Sequence, residues 1–198
     1  MVVGDPKIAR LLEHPAIWRG RSAAQRSGLP TGFAALDEYL PDGGWPRTGL
    51  IEFLVSRFGS GELTLLVPVQ TAPVAALVSC GVVLERVAVV GTCGTRQDAR
   101  FRGDPGIWAF EQTLGSGACD AVLGWLRLVK TRDIRRLQLA AERGRTLGVL
   151  FRPRRAAREA SAAVLRLSVE PLRAGVRLTI LKGRSARRDA LDIPWPGS

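Results

Sequence analysis

TGFAALDEYLPDGGWPRTGLIEFLVSRFGSGELTLL, residues 31–66, is the stretch whose reading decides the fold. Leu50 to Val55 is a buried strand by composition. Ile51, Phe53, Leu54 and Val55 are apolar, as expected of a parallel strand covered on both faces. A glycine-rich turn follows, then the apolar run Leu63 to Val67. Strand, glycine-rich turn and apolar run have the outline of a phosphate loop. A working loop ends Gly-Lys-Ser/Thr: its backbone N–H groups cradle the phosphates, the Lys neutralises them and the hydroxyl holds Mg²⁺. Here Gly59, Ser60 and Gly61 keep the shape, but Glu62 replaces the Lys and Leu63 the hydroxyl, with Thr64 next. A carboxylate aimed at a triphosphate turns attraction into repulsion worth several kcal/mol. The loop is degenerate, and no cofactor is expected in it.

On the N-terminal side, Leu36-Asp37-Glu38-Tyr39-Leu40 reads as a short helix with two buried leucines, its acids facing solvent. Gly43-Gly44-Trp45-Pro46 is a turn before the strand. Residues 1–28 form an arm with helical spacing at Ile8, Leu11 and Leu12, interrupted by Pro15. Trp18, flanked by Arg19 and Arg21, suits either a base-stacking role or an anchor on the core or a partner. His14, the only histidine, has no second ligand beside it, and Cys80, Cys93 and Cys119 are unclustered. Neither a metal site nor a disulfide framework is expected, in keeping with a cytoplasmic setting. No apolar run approaches the length of a membrane span.

Thr31-Gly32, Leu36-Asp37, Gly43-Gly44, Thr48-Gly49, Glu52 and Gly59-Ser60-Gly61 resemble the opening of the RecA/RadA core domain. Three further features are similar to the ImuA family, accessory to translesion synthesis: Glu62 for Lys, the run His14 to Arg21, and Gly43 to Arg47. The likeness continues through Gly117 to Leu123, Arg135 to Glu142 and Leu147 to Pro153, most of the chain. It implies an α/β fold with a RecA-like core: a mostly parallel central sheet flanked by helices and a C-terminal antiparallel hairpin. It also implies an SOS-response accessory working with an ImuB-type polymerase homologue, indirectly with an error-prone DnaE-type polymerase, and with RecA itself. A distant similarity to SulA-type division inhibitors gives the protein-only alternative. The family carries a further strand–helix unit before Val87 to Val90, which this chain lacks or shortens.

Downstream, Glu85 to Val90 reads as a buried strand. Asp104-Pro105 opens a helix closed by Gly115, and Ala118 to Trp125 reads as a central strand. An active RecA-type ATPase ends that strand in an acid. Leu123, Gly124 and Trp125 supply none, a second deficit against ATP hydrolysis. Thr131 caps a helix through Arg143, with Ile134, Leu137 and Ala141 on one stripe and Arg132, Arg135, Arg136 and Arg143 off it. Thr146 to Phe151 is a buried strand. Val164 to Glu170 and Val176 to Leu181 alternate as a hairpin.

The chain has 198 residues and a net charge of +11, with lysine only at Lys7, Lys130 and Lys182 among 29 basic residues. The excess is confined to one part. Residues 1–122 carry 11 basic and 12 acidic side chains, and residues 123–198 carry 18 and 6. Such asymmetry points to an anionic partner for the C-terminal part: nucleic acid, an acidic protein surface, or solvent counterions alone. The loop holding Arg152, Arg154, Arg155 and Arg158 is the leading DNA-contact candidate, with Arg132, Arg135 and Arg136 beside it. Its bland alternative is a solvated loop. The sequence thus predicts an arm (1–28), a RecA-like core (29–183) and a basic, Pro-rich flexible tail (184–198). Trp18, Arg19, Arg21, Trp45, Ile193 and Trp195 are the partner-binding candidates. The expected protein is a non-catalytic, nucleoid-associated accessory.

Overall fold

A computed structural model describes residues 28–59, 87–89, 104–183 and 190–194. The arm with Trp18, Arg19 and Arg21, the turn residues Ser60 to Thr64, and Trp195 lie outside the described residues.

The fold is a mixed α/β layer built on one six-stranded sheet. Strands β1 (Gly49–Val55), β2 (Ala121–Trp125), β3 (Leu147–Pro153) and β4 (Leu165–Leu172) run parallel, in the order β2-β3-β1-β4. β5 (Gly175–Lys182) and β6 (Ala190–Pro194) then add antiparallel to β4 and to one another. The strand before the glycine-rich turn is thus central, and all seven of its residues are buried. Its composition demanded that: a seven-residue strand with a single polar side chain has no face to give to water.

Alternation sorts the strand residues into two cores. Ile51, Phe53 and Val55 join Leu147, Val149, Phe151, Leu165, Leu167 and Val169 on one face. They meet Leu36, Tyr39 and Leu40 at the end of helix α1 (Ala34–Tyr39), and Trp45. Phe53 stacks on Phe151 at 5.4 Å and takes Trp45 edge-on at 5.5 Å. On the other face Leu50 and Leu150 pack under helices α2 (Pro105–Ser116) and α3 (Thr131–Gly144) through Ile107, Phe110, Leu114, Ile134 and Leu137. Gly148 and Gly144 let these layers close. A methyl on Gly148 would meet Leu50 Cδ1 at 2.9 Å, and one on Gly144 would strike the carbonyl of Leu114.

The helix ends follow local chemistry. Asp104 Oδ1 accepts from the Gly106 and Ile107 amides at 2.7 and 3.3 Å, with Pro105 in the first turn. α2 runs past Gly115 to Ser116 and is closed by Gly117, two residues beyond the expected closing glycine, left-handed at φ 67°. For α3 the cap is Lys130 rather than Thr131: the Lys130 amide donates back to Asp133 Oδ2 at 3.3 Å.

Several expectations are corrected. Ala121–Trp125 lies at one edge of the described strands rather than at their centre, and Leu123 and Trp125 are 37% and 41% exposed. Residues 87–89, expected in a buried strand, are exposed and in no strand. Ala190–Pro194, expected in a flexible tail, is β6. Alternation again explains it: Ile193 is 3% exposed in the core, while Asp192 pairs outward with Arg177 across to β5.

Candidate functional site: a cationic cleft over a buried ion-pair cluster

Three charged strand residues converge beneath the two helices: the lone charges of β1 and β3, and Arg166 of β4. Glu52 on β1 lies across from Arg166 on β4, and Leu54, two residues on, lies across from Arg152 on β3. The three side chains therefore share the sheet face opposite Phe53. Glu52 is fully buried, and Arg152 and Arg166 are 2% and 5% exposed. Glu52 Oε1 accepts from Arg152 at 2.7 Å, and Oε2 lies 2.7 Å from Arg166 Nε. That second contact is a close ion pair whose N–H is not aimed at the oxygen, so neither atom gains a hydrogen bond from it. Arg152 also donates to the carbonyl of Val129 at 2.8 Å and to Glu159 Oε2 at 2.7 Å. Arg166 donates to the carbonyls of Glu159 and Ala156 at 2.9 and 2.7 Å. Two acids and two bases neutralise one another, as burial of charge requires.

Above the cluster opens a cleft of about 650 Å³. It lies at the carboxyl ends of β2 and β3 and the first turns of α2 and α3, where open α/β sheets hold ligands. Arg127, Lys130, Arg132, Arg136, Arg155 and the edge of Arg152 supply its positive charge, against Asp104, Asp133 and Glu159. Part of that charge is committed: Arg136 forks onto Glu111 and nears Asp133 at 3.7 Å, and Arg127 lies over the Phe58 ring at 5.4 Å. Lys130 and Arg155 are exposed and make no ion pair among the described residues.

Of the expected DNA-contact residues, the cleft gathers Arg132, Arg136 and Arg155. Arg135, Arg154 and Arg158 are exposed outside its lining, and Arg154 pairs with Glu170. The loop expected to contact DNA is a 3₁₀ turn, Arg154–Arg158, pinned by Ala156 at 2% exposure. Arg152 must be removed from the surface set, because its guanidinium is the buried partner of Glu52 and Glu159. Trp45 and Ile193, expected as partner contacts, are core residues at 4% and 3% exposure. Sequence reasoning missed Arg127, Lys130 and the Glu52–Arg166 pairing. The signal was a lone charge in each of β1 and β3, with Arg166 near the start of β4.

Two curated proteins share part of this sequence. The Cell division inhibitor SulA of Photorhabdus laumondii subsp. laumondii is 43% identical over 57 residues, 29% of this chain and 32% of that protein. The Cell division inhibitor SulA of Edwardsiella piscicida is 36% identical over 77 residues, 39% of this chain and 41% of that protein. The chain thus spans less than half the length of these relatives. No protein-family model matches it. No helix among the described residues is long and apolar enough to cross a membrane.

Proposed function

We propose that this chain is a non-catalytic SOS-response accessory that docks on partner proteins and holds DNA by its phosphates. The observation that carries the reading is the cleft at the carboxyl ends of β2 and β3, lined by six cations and three carboxylates. A groove lined by five arginines and a lysine suits contact with the phosphate backbone without sequence specificity. The local similarity to SulA supports the SOS setting. Glu62 and Leu63 support the absence of ATP turnover. The partners would be an ImuB-type polymerase homologue, a DnaE-type polymerase through it, and RecA, whose core the parallel sheet would imitate.

Anisotropy of labelled single- and double-stranded oligonucleotides over a salt series, with and without Mg²⁺-ATP, tests this. Steeply salt-dependent binding indifferent to ATP is expected. An ATP-dependent change would return the chain to the ATP-using recombinases. A second reading, a SulA-like protein-only module at the division or repair machinery, draws on the same similarity. Absence of DNA binding at low salt would establish it over the first.

A further inference from the structure

The floor of the cleft is built so that one carboxylate can leave without disturbing anything else. Arg152 is fixed from behind by Glu52 at 2.7 Å and by the Val129 carbonyl at 2.8 Å. Its third contact, Glu159 Oε2 at 2.7 Å, comes from a side chain that is 45% exposed. The backbone beneath Glu159 is held separately, by Arg166 donating to the Glu159 and Ala156 carbonyls. Swinging the Glu159 carboxylate out therefore breaks one contact and releases no segment. A further observation points to a ligand. Lys130 and Arg155 stand on the cleft wall and make no ion pair among the described residues.

We propose that the cleft is a phosphate-binding site, separate from the glycine-rich turn, in which Glu159 is the resident carboxylate that an incoming phosphate group displaces from Arg152. A phosphate oxygen satisfies the same guanidinium donor in the same charge-assisted way, and Arg suits either anion. Arg155 and Lys130 then close on the phosphate from the walls. Glu159 acts as a threshold: weak or singly charged anions do not repay its removal, whereas a clustered phosphate does. The phosphate could belong to a nucleic-acid strand or to a free small molecule. The nucleic-acid case rests on the function proposed above; the displacement itself does not.

The test titrates inorganic pyrophosphate, and separately a short single-stranded oligonucleotide, into the wild type, Glu159→Gln and Asp192→Asn. The last removes one negative charge from an exposed pair far along the sheet. Glu159→Gln is expected to bind pyrophosphate roughly two- to five-fold more tightly, the scale of a half-exposed ion pair, with Asp192→Asn like wild type. Lys130→Ala with Arg155→Ala is expected to abolish that gain. Equal affinity for Glu159→Gln and wild type, no pyrophosphate binding by either, or an equal gain in Asp192→Asn would overturn the proposal. Should Glu159→Gln fold poorly, Glu159→Asp, one methylene shorter, must show the same direction of change. Tighter pyrophosphate binding with no oligonucleotide binding would retain the displacement site and refute DNA as its ligand.

Discussion

Arg152 donates to Glu52 at 2.7 Å across 100 residues of sequence, and neither side chain is more than 2% exposed. This contact ties the central strand to its neighbour from within the sheet face under α2 and α3. Glu52 also supplies the counter-charge of buried Arg166, so its loss leaves Arg166 without a carboxylate and Arg152 with Glu159 alone.

Replacing Glu52→Gln is therefore expected to destabilise the fold by about 3–5 kcal/mol, the cost of breaking a buried pair from one side. Urea unfolding followed by circular dichroism measures it. Replacing Glu52, Arg152 and Arg166 together with Leu or Met should recover much of that loss, since a matched apolar set leaves no orphan charge. A Glu52→Gln variant as stable as wild type would mean the cluster is wet.

Gly144→Ala tests the contact between the C-terminal ends of α2 and α3. The added methyl collides with the backbone carbonyl of Leu114, which has no rotamer to yield. A loss of about 1–3 kcal/mol is expected from overpacking, read as a lower denaturation midpoint. Gly59, where a methyl meets nothing, is the contrast for local space, although its φ of 78° strains any side chain.

The Arg177–Asp192 pair makes stability pH-dependent at acid. Arg177 donates to both carboxylate oxygens of Asp192, at 2.6 and 2.7 Å. That hydrogen bonding, more than the bare charge, holds the Asp192 carboxyl below its ordinary value of 3.8. A depressed carboxyl pKa stabilises the folded state above the unfolded value, and the gain is lost as pH falls through the folded one. Asp192→Asn should thus lower stability near neutral pH and flatten the acid limb below about pH 4. Urea midpoints over a pH series check this; parallel curves for the two proteins would remove the linkage.

Surface arginines should separate from the buried one when DNA binding and stability are read together. Arg154, Arg155 and Arg158 replaced by Ala are expected to weaken binding and to flatten the log–log salt slope. The slope should fall by about 0.9 for each duplex phosphate no longer neutralised, and by about 0.7 for each on a single strand. Arg132, Arg135 and Arg136 form a second set for the same measurement. Arg152→Ala should lower the unfolding midpoint as well as binding, because its side chain is interior and forms the cleft floor.

Sheet and helices were legible because their signals are local. Seven apolar-rich residues before a glycine-rich turn, Asp104-Pro105 ahead of a helical stripe, and strict alternation in β4 and β5 each named their own element. What escaped depended on partners distant in sequence. Arg152 sits in a run of arginines and reads as one of them; only the register of β3 on β1 places it over Glu52. Ile193 and Trp45 looked available because Pro and Gly surround them, yet each fills a gap that a separate element leaves in the sheet-side core. The position of β2 at an edge of the described strands was hidden for a related reason: an apolar strand reads as central until its neighbours are known.

The strand order also has a consequence for synthesis. β1 lies at the middle of the sheet, but both of its hydrogen-bonding neighbours, β3 and β4, are translated long after it. A nascent chain must carry Leu50 to Val55 without β3 until residue 147 has left the ribosome, and with one edge unpaired until the residues around Leu165 follow. Non-local pairing of this kind folds slowly and leaves apolar strand exposed meanwhile. The emerging chain thus presents a chaperone with a defined target and a defined window, which closes when β4 docks beside β1.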